Sequence, residues 1–356
     1  MILKETFTRN HVDKIKEGKK CDPIILERAI VALGLVEALA KTGCDFIFKG
    51  GSSLMILLDK VSRLSTDCDI IVPFDFDIDS YIKRASIIYP FKSYNESVRK
   101  TNNNISKKHY KFIYESIYSN KGEVVILLDV LFENNSYKNI LKKEIKNNLL
   151  ICDDNPIYVK CPTIEAILGD KLTAFAPNTT GIKYYNDDFS NDKKLEVIKQ
   201  FFDIVTLFRN SNDFDEIKDN YMCMVKNEIS YRNLNITYKE SLLDTFNSAL
   251  SILSRGKINH NEYLYLLEGI RKIKNHIFGY DFNAENAIHF AADVMLISSG
   301  ILSNINVINV KIDDKQLFND NTYKNINYVK KLSKETFNKA SYAISILIEK
   351  GFIILS

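Results

Sequence analysis

The chain has 356 residues, of which 46% are hydrophobic and 26% are charged, and its formal net charge is +3. This balance excludes a disordered chain and is typical of a globular protein long enough for two domains. The mild charge neither requires nor excludes a nucleic-acid partner. Charged residues interrupt the apolar runs, and the N-terminus lacks the apolar core of a signal peptide. We therefore expect a cytoplasmic protein without a membrane partner.

The cysteines and histidines give no sign of a zinc site. Six cysteines are scattered without a Cys-x-x-Cys pair, and the five histidines are scattered as well. Zinc ligands usually come in closely spaced pairs, so this pattern favours reduced thiols in a cytosol.

The first helix is marked at both ends. Asp22 is a suitable N-cap residue, and Pro23 follows it in the first turn. We expect a helix from Ile24 to Lys41 that ends at Gly43. A short apolar strand follows, from Phe46 to Phe48.

The most informative segment continues from this strand through a glycine turn. Gly50 and Gly51 can adopt backbone angles denied to other residues and allow a ligand close to the main chain. A helix begins after them, and its free N–H groups and dipole favour an anion. Ser52 and Ser53 add hydroxyl donors. The turn therefore predicts a phosphate-sized pocket.

Two aspartates open the next strand. Asp67 and Asp69 point to the same side because side chains alternate along a strand, whereas Cys68 points to the other side as a small buried residue. Carboxylates beside a phosphate pocket suit Mg²⁺. Together they predict a site for a metal and a nucleoside triphosphate. Arg63 and Ser65 precede the aspartates. They could support the turn, or Arg63 could contact phosphate. Alternatively, Arg63 forms only a structural salt bridge and Ser65 only supplies a turn hydroxyl.

Several elements follow in chain order: a helix from Asp79 to Ile88, a polar Asn-rich loop from Lys92 to Ser106, a half-buried strand with Tyr110, Phe112 and Tyr114, and a central strand from Glu123 to Phe132. Asp129 interrupts the central strand. A carboxylate in an apolar strand is costly unless it is paired or metal-bound. It is therefore either a third acidic site residue or a mark of the strand's solvent edge.

The chain from residue 161 onward reads as mainly helical. A helix capped by Thr163 is expected to run to Ala176, with Lys171 inside its apolar arc. This lysine either snorkels to solvent, in which case methionine would fit in its place, or reaches into a cleft. The helical wheel puts Asp203 on the exposed side of a later helix. The polar connector from Pro177 to Asp192 suggests a loop near the site that a ligand orders.

Four motifs, in order, carry a resemblance to a known family. They are Lys49-Gly50-Gly51-Ser52-Ser53-Leu54, Arg63-Leu64-Ser65-Thr66-Asp67-Cys68-Asp69, Gly169-Asp170-Lys171-Leu172-Thr173-Ala174-Phe175 and Lys199-Gln200-Phe201-Phe202-Asp203-Ile204. The chain resembles the AbiEii/AbiGii-type nucleotidyltransferase toxins of the DNA polymerase beta nucleotidyltransferase superfamily. One departure is Gln200, which stands where the family often has an acid.

The resemblance implies an α/β (α+β) nucleotidyltransferase lobe with a mixed sheet, in residues 1–160. An all-helical C-terminal lobe, residues 161–356, would contribute to the active-site cleft. The implied reaction transfers a nucleoside monophosphate from an NTP to an acceptor with Mg²⁺. Asp67, Asp69 and Asp129 would hold the metal, and Gly50, Gly51, Ser52, Ser53, Arg63 and Ser65 would surround the nucleotide. Lys171 would contact its phosphates, with Asp203 beside it.

The resemblance also implies a toxin of a bacterial toxin–antitoxin or abortive-infection (phage defence) system, with an antitoxin partner and RNA such as tRNA as acceptor. Two lysine clusters, Lys107-Lys108-Lys111 and Lys142-Lys143-Lys146, fit RNA or simply a solvated surface. The alternatives are a small-molecule nucleotidyltransferase that modifies an antibiotic, and a degenerate binding protein. The intact Asp67, Asp69 and Lys171 argue against degeneracy. A glycosyltransferase using Asp-x-Asp would leave the glycine turn unexplained.

Overall fold

The computed structural model describes residues 1–97, 107–186 and 189–354. They form two compact units, one of residues 1–164 with 275–281 and one of residues 165–274 with 282–356. The short segment 275–281 thus belongs with the first unit, although the sequence prediction assigned it to the helical part. The division into a catalytic and a helical domain, as a statement about function, stays a prediction.

The first unit is built on a mixed seven-stranded sheet with the order β3-β4-β5-β2-β1-β7-β6. β1 runs antiparallel to β2 and parallel to β7, β2 runs parallel to β5, and the remaining pairs are antiparallel. The strands are β1 (Ile47–Lys49), β2 (Asp67–Val72), β3 (Phe91–Glu96), β4 (Lys107–Glu115), β5 (Glu123–Phe132), β6 (Ile140–Glu144) and β7 (Tyr158–Pro162).

The helices of the first unit are a 3₁₀ turn (Lys4–Phe7), α1 (Arg9–Lys16), α2 (Pro23–Lys41), α3 (Gly50–Leu57) and α4 (Asp79–Ala85). The prediction for α2 is confirmed, because the Asp22 side chain accepts a hydrogen bond from the N–H of Ile24. Gly43 follows its end with φ +79°. Almost all of α2 is buried, and it packs against one face of the sheet at β2 and β5.

The faces of the sheet follow the strand alternation. Tyr110, Phe112 and Tyr114 are buried and lie opposite Leu128, Ile126 and Val124 on β5. The prediction of a loop from Lys92 to Ser106 is wrong at its start, because β3 pairs with β4 along Phe91–Glu96. Pairing with an amphipathic neighbour stabilises an extended segment that is itself polar. The rest of that predicted loop, residues 98–106, lies outside the described residues.

The second unit is helical in its described residues. Its helices are α5 (Ile164–Ala174), α6 (Lys194–Phe208), α7 (Phe214–Tyr231), α8 (Tyr238–Leu253), α9 (His260–Lys272), α10 (Ala284–Ser303), α11 (Val329–Leu332) and α12 (Lys334–Glu349), with 3₁₀ turns at Ile273–His276 and Tyr323–Ile326. The fold class expected from the sequence, a mixed-sheet α/β part followed by a helical part, is confirmed.

Helix α10 corrects one expectation about apolar runs. Its 20 residues are long and apolar enough to cross a membrane by length and composition, although the sequence suggested that no run came close. However, 83% of the apolar window is buried inside the protein. This is the behaviour of a core helix.

Candidate functional site

The glycine turn is the first turn of α3 and follows β1 directly. Gly50 has φ +74°, a left-handed conformation that favours glycine. A Cβ atom at Gly50 would collide with the carboxylate of Asp69. A Cβ atom at Gly51 would lie 2.5 Å from Nη2 of Arg63 and 2.9 Å from Oγ of Ser65. Both glycines are therefore required because side chains of the following motif pack directly onto the main chain of the turn.

The two serines that follow the glycines make hydrogen bonds within the protein. The side chains of Ser52 and Ser53 are fully buried. Ser52 donates its hydroxyl to the carbonyl of Asp67, and Ser53 donates to the carbonyl of Gly50 at 2.8 Å. Ser52 thus ties the turn to β2, and Ser53 closes a bond within the turn; their part in nucleotide binding stays a prediction.

Arg63 and Ser65 fit the supporting role among the alternatives. Arg63 is buried, and its Nη1 donates to the carbonyl of Leu64 at 3.2 Å. Its backbone forms a β-bridge with Ile277, and the N–H of Leu64 donates to the carbonyl of His276 at 2.7 Å. The segment 275–281 thus holds the approach to the aspartates, a contact that the sequence did not reveal.

Four polar residues form a row across the sheet. Lys49 on β1 pairs with Asp69 on β2, Asp69 pairs with Asp129 on β5, and Asp129 pairs with His109 on β4. Directly paired residues share a face of the sheet, and neighbouring strands lie about 4.8 Å apart. The structure therefore brings together Asp69 and Asp129, which the sequence predicted, and adds His109, which it missed.

Asp67 lies beside this row and has a neighbour that the sequence missed. Nη2 of Arg28, from α2, lies 3.8 Å from Oδ1 of Asp67. The side chain of Asp67 is 49% exposed and that of Asp129 is 38% exposed, so both are accessible to a ligand. Arg28 brings a positive charge to the edge of the carboxylate group.

Cys68 confirms the expected alternation of β2. It is completely buried, and its Sγ lies 3.2 Å from the carbonyl oxygen of Ala32 on α2. Burial raises the pKa of the Cys68 thiol, and the charges of Asp69, Asp67 and Asp129 raise it further. The thiol therefore stays protonated, and its face of the strand belongs to the core.

The three aspartates differ from a preformed metal site in their spacing but match Mg²⁺ in their donor atoms. Among the described residues, no three His, Cys, Asp or Glu side chains are drawn together at metal-binding spacing. The donors nevertheless fit a hard divalent ion by chemistry, since Asp67, Asp69 and Asp129 supply only oxygen atoms from one face.

The second unit holds the other two predicted site residues in direct contact. Nζ of Lys171 on α5 lies 3.1 Å from Oδ2 of Asp203 on α6 and donates to Oε1 of Gln200 at 2.7 Å. Both charged residues are buried. The prediction that Asp203 is exposed is therefore wrong, because the helix is buried on more than its most apolar side. Lys171 likewise does not snorkel to solvent.

The connector after α5 is fastened by the chain itself. Asp244 accepts hydrogen bonds from the backbone and side chain of Asn178 and from Thr179, each at 2.8 Å. Glu262 accepts from Asn178 and from the hydroxyl of Tyr184, each at 2.9 Å. Burial raises the pKa of Asp244 in spite of these bonds. Contacts within the chain thus hold residues 178–184 of the connector, and its ordering by a ligand stays a prediction.

The glycine turn, the paired aspartates and the Lys171–Asp203 pair agree with one family of known proteins. A family model described as nucleotidyl transferase AbiEii toxin, type IV TA system, matches residues 35–261. The chain belongs to this family. No curated protein matches the chain.

The AbiEii match includes every predicted site residue, from Gly50 to Asp203. Membership makes the chain a nucleotidyltransferase toxin of a type IV toxin–antitoxin system, and it implies an antitoxin as partner. The match ends inside α9, so α10, α11 and α12 lie outside it.

Proposed function

We propose that the protein transfers a nucleoside monophosphate from an NTP to an acceptor with the help of Mg²⁺. The observation that carries the proposal is the register of the sheet, which sets Asp69 beside Asp129 directly at the glycine turn. Asp67, Asp69 and Asp129 would hold the ion. When bound, Mg²⁺ would neutralise charge on the triphosphate.

The chain's own residues would supply the rest of the reaction. The N–H groups at the start of α3 bind the terminal phosphates. The proton of the acceptor hydroxyl leaves to solvent or, in the alternative in which Asp129 does not complete the metal site, to Asp129. The acceptor oxygen then forms a bond to the α-phosphorus, the bond from that phosphorus to the bridging oxygen breaks, and pyrophosphate leaves. Lys171 is the proposed contact for the negative charge on the leaving group, and Asp203 fixes its ammonium.

The proposed acceptor is RNA of tRNA size, in the cytoplasm. Lys107 and Lys111 lie on β4 on either side of His109 and share the face of the carboxylate row. Cations at these positions suit the phosphates of an acceptor strand. The small-molecule acceptor is the alternative, and the same experiment distinguishes the two.

The test offers each labelled NTP, with Mg²⁺, to total bacterial RNA, to bacterial protein and to small-molecule extract. We expect labelled RNA of tRNA size with the wild type. Asp67→Asn or Asp69→Asn should abolish labelling and leave the fold intact, because each change removes a ligand charge at constant size. Asp215→Asn, at an aspartate whose side chain is 82% exposed on α7, is the matched control.

Two results would count against the proposal. Wild-type labelling by either Asp67→Asn or Asp69→Asn would remove the carboxylates from the reaction. Label in a small molecule or a protein, with none in RNA, would replace RNA by another acceptor while leaving the nucleotidyl transfer in place.

A further inference from the structure

We propose that His109 is a positioning residue for Asp129: its ring N–H holds one carboxylate oxygen, Oδ1, so that the other, Oδ2, is presented to the metal ion. The inference deepens the proposed function and rests on it, because it assigns a partner to one of the proposed metal ligands.

The hydrogen bond between His109 and Asp129 is short, and the strand that carries His109 is fixed in the sheet. Nδ1 of His109 lies 2.7 Å from Oδ1 of Asp129, and the two residues are direct partners on β4 and β5. On the other side of β4, the carbonyl of His109 accepts the N–H of Ser97 at 2.7 Å. Because β4 is paired on both sides, the backbone of His109 is fixed beside Asp129, and burial of the imidazole restricts its rotation.

The burial of the two partners is unequal, which sets the direction of the effect. The side chain of His109 is 9% exposed, whereas that of Asp129 is 38% exposed. An aspartate with that exposure can satisfy its oxygens with water and needs no histidine for its own stability. The orientation of Asp129 does depend on a partner, because a carboxylate with this exposure can rotate when no group holds it.

A neighbouring carboxylate would disturb the orientation of the Asp129 side chain. Asp69 is the direct neighbour of Asp129 on β2. At a strand spacing of about 4.8 Å, two negative carboxylates repel each other and turn apart when no cation is bound. A hydrogen bond from the far side, where His109 lies, holds Asp129 in the row before the ion arrives. Groups that orient metal ligands in this way typically change metal affinity by about 10- to 100-fold.

A purely structural histidine predicts something else. In that case the pair would only satisfy a buried imidazole, and its loss would lower stability without any dependence on the Asp129 charge. The two explanations differ in metal affinity and in whether the effects of the two residues are coupled.

The experiment measures binding of Mn²⁺ alone to the full chain, from the signal of the free ion in electron paramagnetic resonance. His109→Leu removes the donor at similar size, and His109→Asn keeps an N–H donor at the position of Nδ1. We expect His109→Leu to weaken Mn²⁺ binding at least about tenfold, and His109→Asn to stay close to wild type. His260→Leu, at an exposed histidine at the start of α9, is the control for the substitution itself.

The coupling is tested in the background of Asp129→Asn. There His109→Leu should weaken Mn²⁺ binding by less than about twofold, because the carboxylate that it orients is gone. Melting temperatures of all variants identify any that fail to fold. If His109→Leu does not fold, the Mn²⁺ affinity of His109→Asn is compared with that of Asp129→Asn.

The outcomes separate this inference from the proposed function. If Asp129→Asn binds Mn²⁺ like the wild type, the metal site itself is overturned and the inference falls with it. If Asp129→Asn weakens binding but His109→Leu does not, or does so equally in both backgrounds, only the positioning role is overturned. Failure of His109→Asn to bind better than a folded His109→Leu would also contradict it.

Discussion

At the scale of single residues, the buried pair of Lys171 and Asp203 changes what a mutation should do. By hydrophobic pattern alone, methionine would suit position 171. The ion pair reverses this expectation, because Lys171→Met removes the cation that lies 3.1 Å from the buried carboxylate of Asp203. Breaking such a pair from one side typically costs about 3–5 kcal/mol, whereas replacing both partners by apolar residues is often neutral.

We therefore expect Lys171→Met to lower both stability and nucleotide transfer, the latter on the order of a hundredfold. Lys171→Met combined with Asp203→Leu should recover much of the stability and none of the transfer. Urea unfolding and turnover on both variants check this. Lys20→Met, which removes a salt bridge with Asp281 in which both side chains are exposed, is the control and should cost far less stability. Transfer near the wild-type rate in a folded Lys171→Met variant would exclude Lys171 from the reaction.

At the scale of elements, substitutions can separate the backbone effect from the side-chain effect at the glycine turn that opens α3. Gly50 and Gly43 both have left-handed backbone angles, with φ of +74° and +79°. A Cβ atom at Gly43 would meet nothing within 4 Å, whereas one at Gly50 would meet Asp69. The two positions are a matched pair for the same substitution.

Gly50→Ala and Gly43→Ala should each lose about 1–2 kcal/mol of stability from the backbone conformation. Only Gly50→Ala should also weaken Mn²⁺ binding and transfer, since it displaces the Asp69 carboxylate. Denaturant unfolding and Mn²⁺ titration of the two variants measure both effects. Equal Mn²⁺ binding by the two would show that the close approach of the turn to Asp69 has no part in the site.

At the scale of the whole molecule, the two lysine clusters are no longer equivalent. Lys107 and Lys111 share the face of the carboxylate row on β4, whereas Lys142 and Lys143 lie on β6, an edge strand of the sheet. Five strand steps separate β4 from β6 in the sheet order, which is about 24 Å at the usual spacing. Binding of an RNA that reaches the aspartates should therefore depend mainly on Lys107 and Lys111.

Lys107→Ala with Lys111→Ala should weaken RNA binding and lower the slope of its salt dependence by about one per lysine. Lys142→Ala with Lys143→Ala is the control with the same change in net charge and should have a smaller effect. Filter binding over a range of salt concentrations checks this. Equal effects of the two pairs would mean that general charge, and no path beside the carboxylates, attracts the RNA.

The sequence by itself determined what depends on neighbours in the chain. The ends of α2, the glycine turn and the common face of Asp67 and Asp69 follow from capping, backbone freedom and alternation, which are local properties. The motifs also led to the family. Domain function, metal and acceptor stay predictions that the experiments above address.

Only the tertiary structure decided which faces meet. Periodicity tells which residues share a side of their own element, but not what packs against that side, so it left Asp203 exposed when it is buried beside Lys171. In the same way, strand alternation places His109 and Tyr110 on different faces of β4. It cannot give the register that pairs His109 with Asp129. Register and helix packing arise from contacts between residues far apart in the chain, and these contacts make the row of side chains at the proposed site.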